Sequence, residues 1–281
     1  MTAIYYLGPQ GTFSSLVGAR LSKHFRYPQV LTKSIPEVFV RTITQEGSLG
    51  LVPIENLSIG IIGITQENLQ LKEVAIIAEM KMEIAFSLVR NTSGPIQRLY
   101  AFEVSFDQCS EFVYNRITFD KQVDTLSNID SFQQFEEQIR KDNTPCAAIV
   151  PKLYSMQHDL RAKGYIVEDD IQNDPDNFTR FFIIRNATHK EEHDFSRAKT
   201  TVFIDTKGDR PSLLYDILGQ FKKYDINLSS LHSTPSKKYR GNYGFFIDFQ
   251  NKNPDSSQEC LSNIAKLGPD LKILGTYDRL D

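Results

Sequence analysis

Apolar residues in this chain come in short runs that end in glycine, proline, asparagine or aspartate. Between the runs they recur at helical spacing. Ala3-Ile-Tyr-Tyr-Leu7 is the first run and stops at Gly8-Pro9. Phe13, Val17 and Leu21 then fall every four residues, so the pattern predicts strand, glycine turn, helix. Thr12 or Ser14 is placed to cap that helix, and open amides at a helix start suit a carboxylate or phosphate. An ordinary strand-to-helix turn has the same pattern. Leu49–Ile54 repeats the design: a buried strand ends in Glu55-Asn56, and Ser58 and Gly60 lead into helical spacing toward Leu69. Two strands that empty into polar helix starts predict a cleft at the carboxyl ends of a sheet.

Val74–Ala78 and Ile84–Val89 read as further strands, and Asn91–Pro95 as the loop that crosses into a second lobe. In that lobe Phe132–Ile139 has helical spacing, Ala147–Val150 is a buried strand, and Gly164–Val167 leads back. The turn cluster Asp174-Pro-Asp-Asn177 precedes the apolar run Phe181–Ile184. Thr179 and Arg180 therefore stand where a loop enters a strand, a position from which a scaffold presents side chains to a ligand. If strand geometry has begun there, Arg180 points away from Thr179. It then either meets a substrate carboxylate or braces the loop through Asp174 or Glu55.

Ala187 to Lys199 is charged and poor in large apolar residues, which predicts a linker. His189 and His193 are four apart there, but no third ligand is near, so a solvated linker is expected rather than a zinc site. Beyond it come a strand at Thr200–Asp205, a helix face of Leu213, Leu214, Ile217, Leu218 and Phe221, and strands at Ile226–Leu231 and Tyr243–Phe249. A helix marked by Leu261, Ile264 and Leu267 and a strand at Leu271–Leu274 close the series. The order is βαββαβ, a ferredoxin-like plait.

Length changes the picture little: 281 residues suit two domains, or one with a satellite. A net charge of -3 and scattered basic residues give no nucleic-acid footprint, and favour an anionic small molecule. The three cysteines, Cys109, Cys146 and Cys260, have no metal or redox spacing. They fit small apolar packing groups in a reducing compartment. No apolar run reaches the roughly 18 residues of a membrane span, and the amino terminus enters a strand directly. These features predict a cytoplasmic protein.

Three motifs together carry a resemblance. Tyr6-Leu7-Gly8-Pro9-Gln10-Gly11-Thr12-Phe13-Ser14, Gly50–Asn56, and Asn177-Phe178-Thr179-Arg180-Phe181 with Asp174 upstream resemble, in order, the motifs of prephenate dehydratases. Residues 200–281 resemble an ACT domain, the small-molecule sensor that follows the catalytic part in many of them. The resemblance implies an α/β fold. A two-lobed, periplasmic-binding-protein-like catalytic domain (lobe one about 1–80 plus 170–186, lobe two about 90–165) precedes a 187–199 linker and the ACT domain. It implies conversion of prephenate to phenylpyruvate, carbon dioxide and water without metal or cofactor. Thr179 takes the catalytic role by resemblance. Pro9, Gly11, Thr12, Glu55, Asn56, Asn177, Arg180 and Phe181 take substrate-binding roles. Ser212, Leu213, Leu214, Asn227, Leu228, His232 and Ser233 fall on effector-binding positions, with L-phenylalanine the implied effector and a homodimer or higher assembly implied by ACT pairing.

The chain departs from the family pattern at several polar positions. The Ser-His-Pro-Gln motif falls on Ala101–Val104, although Gln108-Cys109 matches, and the Ser-Thr pair falls on Ser127-Asn128. Leu57 replaces a serine, Ile59 an acid and Phe86 a histidine. In the effector turn Ser212 and Leu213 replace glycine and alanine, and His232 and Thr234 replace glutamate and arginine. Losing one hydrogen-bonding partner costs about 1–3 kcal/mol, so several losses predict lower affinity or a changed substrate, such as arogenate. Two function classes stay open: a dehydratase, and a catalytically silent binding protein that senses an amino acid. A relative that decarboxylates prephenate but keeps the hydroxyl has no need of a leaving-group donor, and the intact Thr179 motif argues against it.

Overall fold

A computed structural model describes residues 2–187, 193–208 and 210–280. The chain begins with β1 (Ile4–Leu7), α1 (Phe13–Phe25), β2 (Gln29–Thr32), α2 (Ile35–Thr44), β3 (Leu49–Asn56), β4 (Gly60–Ile61), α3 (Gly63–Leu71) and β5 (Val74–Glu83). A second group follows: β6 (Phe86–Arg90), β7 (Ile96–Phe102), α4 (Glu103–Gln108), α5 (Ser110–Arg116), β8 (Phe119–Thr125), α6 (Asn128–Asp142), β9 (Cys146–Pro151), α7 (Lys152–Gln157) and β10 (Ile166–Asp169). Strand β11 (Phe178–Asn186) returns to the first group. The last group is β12 (Lys199–Asp205), α8 (Leu213–Lys223), β13 (Leu228–Pro235), β14 (Tyr243–Gln250), α9 (Pro254–Lys266) and β15 (Asp270–Arg279).

Two sheets result. The smaller has the order β10-β6-β9-β7-β8, and the larger the order β13-β14-β12-β15-β5-β11-β3-β1-β2, with β4 on β3. The larger sheet thus joins the first and last groups without a break. β15 lies parallel to β5, with Asp278 opposite Ala78 and Arg279 opposite Glu79. Gly275 makes this approach possible: a Cβ there would sit 2.1 Å from the Ile76 carbonyl oxygen. The last group has the expected βαββαβ order, its four strands antiparallel neighbours in the order β13-β14-β12-β15.

Strand β11 sorts its residues by alternation. Phe181 and Ile183 enter a core with Ile4, Leu16, Leu51 and Met80, on the α1 side. Phe182 and Ile184 enter another with Val38 and Phe39 of α2 and with Phe203, Phe246 and Tyr277 of the last group. One strand therefore has α1 on one face, and α2 together with the last group's sheet on the other.

Several expectations need correction. The crossing between lobes is not at Asn91–Pro95, which connects β6 to β7 within the second sheet. It lies at Ile84–Ala85, because β5 runs on through Lys81 and Glu83 while Met80 and Met82 stay buried. Alternating polar residues made one ten-residue strand look like a short one. Helix α2, with Ser34 accepting from the Glu37 amide as its cap and Pro36 in its first turn, went unread. The 187–199 stretch is docked where it is described: Phe195 packs in the last group's core, Asp278 accepts from Arg197 Nη1 and the Ala198 amide, and β12 starts at Lys199. His189 lies outside the described residues. Among those, no helix is long and apolar enough to cross a membrane.

Candidate active site

Thr179 and Asn56 face each other across neighbouring strands of the larger sheet. Asn56 Oδ1 accepts the amides of Ser58 and Ile59 at 3.1 and 3.0 Å, which fixes the side-chain amide's orientation. Its Nδ2 then donates to Thr179 Oγ1 at 2.9 Å. With Oγ1 already accepting, the Thr179 hydroxyl proton is left to point elsewhere. Both residues are buried.

Asn177, two residues upstream, ties the lobes together. It is almost fully buried, and its Nδ2 donates to Gln108 Oε1 of α4 at 3.0 Å. Its Oδ1 is buried with no hydrogen-bonding partner among the described residues. Asn177 borders two cavities between the lobes. One, of about 410 Å³, is lined by Ser58, Ile59, Val104 and Gln108. The other, of about 750 Å³, is bordered by four cations, Arg20, Lys81, Lys152 and Arg279, against Glu83 and Asp176. Lys152 is itself held by Asp170 at 2.6 Å, so the lining is only mildly positive, which still suits an anion.

Helix α1 meets the second lobe at its start. Gly11 has φ +91°, and a Cβ there would lie 2.6 Å from Ile129 Cδ1 and 3.0 Å from Tyr154 Cδ2. Glycine thus serves both the left-handed backbone and the close lobe contact. The expected cap differs in detail. Thr12 makes no side-chain cap and its hydroxyl donates to the Pro9 carbonyl, while the Gly11 amide donates to Ser15 Oγ at 2.6 Å. Pro9 is exposed and Thr12 half-buried.

Arg180 stands apart from this site. Its side chain lies on the opposite face from Thr179, where Nε contacts Glu55 Oε2 at 3.2 Å, and Nη1 contacts Glu79 Oε2 at 3.4 Å and Asp248 Oδ2 at 2.5 Å. This geometry favours the bracing alternative for Arg180, with Glu55 paired to it on the face away from Thr179. Of the two bracing partners considered, Glu55 is present. Glu79 and Asp248 were not foreseen. The phenyl ring of Phe181 fills the α1-side core, so it supports the strand rather than lining a cavity.

Burial alone would lower the Arg180 pKa, but Asp248, Tyr277 and Glu79 outweigh it and leave it raised, so the group stays a cation. Tyr277, fully buried, has its pKa pushed well up by burial and by the carboxylates of Asp248 and Glu79. Thr201 Oγ1 donates to Asp248 Oδ1 at 2.7 Å, and an ionised carboxylate only accepts. The 2.6 Å contact between Thr201 and Tyr277 must then run from the tyrosine hydroxyl to Thr201. Lys199 Nζ closes the cluster on Glu79 Oε1 at 2.6 Å.

A model of the prephenate dehydratase family matches residues 4–189. The chain belongs to this family. It is 29% identical over 282 residues to a prephenate dehydratase of Methanocaldococcus jannaschii, with 99% of each chain covered. The crystal structure of a prephenate dehydratase from Staphylococcus aureus superposes with a TM-score of 0.81 at 26% identity, covering 98% of this chain and 100% of that one. One from Arthrobacter aurescens in complex with L-Phe gives 0.83 at 27% identity, covering 99% and 90%.

Against the prephenate dehydratase pattern, the altered positions have distinct fates. Phe86 is buried and packs edge-on against Phe13 at 5.4 Å, an apolar contact between lobes. Leu57 and Ile59 are about half exposed, at 49% and 54%, and give an apolar rim beside Asn56. Ser127 caps α6 by accepting from the Asp130 amide, and Asp130 Oδ2 accepts from the Leu126 amide. This reciprocal cap occupies donors that would otherwise be open at that helix start.

The residues expected at an effector site are spread over two elements. Ser212 is the first residue before α8 and has φ +67°, with no side-chain cap bond; Leu213 is buried behind it. Leu214 is the second residue of that helix, and Asn227, Leu228, His232 and Ser233 lie at or along β13. That strand forms one edge of the larger sheet.

Proposed function

We propose that this chain is a prephenate dehydratase in L-phenylalanine biosynthesis, with Thr179 as the donor to the leaving hydroxyl. The observation that carries this reading is the fixed hydrogen bond from Asn56 to Thr179 Oγ1. It leaves the threonine proton free to point at a substrate oxygen. Prephenate loses its ring carboxylate as carbon dioxide; the electron pair of that bond makes the ring aromatic as the C–OH bond breaks. A proton joins the departing hydroxide to give water. A threonine hydroxyl is a poor acid, but it stabilises the charge developing on the leaving oxygen and relays a proton to it. The cations around the larger cavity suit the substrate's two carboxylates, and the amides at the start of α1 suit one of them.

Residues 1–186 then form the dehydratase part, in the two-lobed manner of periplasmic binding proteins, and residues 200–281 an ACT-type regulatory part. The L-Phe complex of the Arthrobacter aurescens protein supports phenylalanine as effector here. The free edge of β13 fits side-by-side pairing with a second copy. Ser212 and Leu213 narrow the effector turn, so the response should be weaker than glycine and alanine would give.

The test is to incubate the purified chain with prephenate and with arogenate and follow phenylpyruvate and phenylalanine. Phenylpyruvate from prephenate is expected. Binding of prephenate without product would support the silent binding protein instead, a reading favoured by the apolar Leu57, Ile59 and Phe86.

A further inference from the structure

The last group of strands contributes a side chain to the back of the catalytic strand. Asp248 of β14 reaches Arg180 Nη1 at 2.5 Å, and both side chains are almost fully buried, at 5% and 6% exposure. Arg180 follows Thr179 directly. The pairing of β11 with β3 shifts register between Arg180 and Phe181, with Ile54 of β3 the extra residue, while β11 pairs regularly with β5 there. The guanidinium also lies over the Phe182 ring at 5.0 Å, and Phe182 packs edge-on against Tyr277.

We propose that Asp248 is a positioning residue for dehydration: through Arg180 it sets where the strand presents the Thr179 hydroxyl. This rests on the dehydratase reading above. The argument is one of faces. Successive side chains of a strand leave on opposite sides. Anchoring Arg180 toward the last group therefore fixes the backbone that carries Thr179 on the opposite face, beside Asn56. The other two carboxylates cannot replace this anchor. Glu55 lies at 3.2 Å and is partly exposed; Glu79 lies at 3.4 Å and is shared with Lys199. Asp248 is itself held by the Tyr277–Thr201 hydroxyl relay, whose members come from β15 and β12. The anchor thus draws on three strands of the last group. A change in how those strands pack, such as an effector would cause, reaches Thr179 most directly through the Asp248–Arg180 ion pair.

The test uses the full chain carrying Asp248→Asn, which keeps the shape and an acceptor for Thr201 but removes the charge. Two readouts are taken. Turnover of prephenate should lose about tenfold to a hundredfold in kcat, the range for a small misplacement of a reacting group, with KM within twofold. Amide hydrogen exchange should quicken at Thr179–Phe182 while β9 of the other sheet keeps its protection. Unchanged kcat together with unchanged exchange at Thr179–Phe182 overturns the proposal. So does a loss of protection spread evenly over both sheets, which would make Asp248 a stability contact only. If the unaltered chain forms no phenylpyruvate, the dehydratase reading fails, and local exchange still decides whether Asp248 positions the strand.

Discussion

Asn56 and Thr179 are 123 residues apart in sequence and 2.9 Å apart in space, with the amide donating and the hydroxyl accepting. The direction matters more than the distance. If Asn56 were turned to accept from Thr179, the hydroxyl proton that the proposed role requires would be spent. The amides of Ser58 and Ile59 prevent that turn by holding Asn56 Oδ1.

Thr179→Val should abolish the donor and keep the shape. We expect kcat to fall by about 10²-fold or more, with the melting temperature little changed. Thr179→Ser should retain a measurable part of the activity. A valine variant with near-normal kcat would remove Thr179 from the chemistry.

Gly11→Ala should act on the lobes rather than on the chemistry. The added Cβ would enter the space of Ile129 and Tyr154, at a φ that side chains rarely adopt. We expect KM for prephenate to rise at least tenfold while the lobes separate by small-angle scattering. An unchanged KM would show that the contact opens without consequence for binding.

Sequence alone revealed the strands that carry the site, because β1, β3 and β11 are short apolar runs with abrupt polar ends. It also placed Arg180 opposite Thr179, since alternation is a property of any strand. It did not reveal the partner of Arg180. Asp248 comes from another strand group, and no local pattern links the two. A signal was nevertheless present. Asp248 interrupts Phe245–Phe249, and Glu79 interrupts Val74–Met82. A lone carboxylate in a buried strand needs a cation, and Arg180 and Lys199 are those cations. The lobe crossing was misplaced because Glu79, Lys81 and Glu83 end the apolar run at Ala78 while the strand itself continues to Glu83.

Ser212→Gly should stabilise the protein by about 0.5–1 kcal/mol. Ser212 holds φ +67° and gains no cap bond in return. Glycine takes that conformation without a Cβ penalty, partly offset by its greater freedom when unfolded. Chemical denaturation of both proteins checks this. If phenylalanine binds at this turn as proposed, the same variant should bind it more tightly by titration calorimetry, since the turn would then carry no side chain there.

Asp270 should make the last group acid-sensitive. Hydrogen bonds from Lys207, Lys238 and Tyr239 hold its pKa well below the usual carboxylate value. A carboxylate lowered on folding adds stability above its unfolded pKa, near 3.8, and loses it as pH falls toward the folded value. The window is therefore below about pH 4. Melting temperatures of the protein and of Asp270→Asn should differ at pH 7 and converge as the pH is lowered through 4. A constant gap would mean that the clasp does not depend on the carboxylate's charge.

The β5–β15 pairing also bears on how the protein is made. β5 ends at Glu83 and β15 begins at Asp270, so on the ribosome the early strand waits with a bare edge while most of the chain is still being synthesised. Unpaired edges invite wrong partners. Of the strand groups, the last is thus also the protective cover of the first, and premature termination within β15 should yield aggregates rather than a smaller working enzyme.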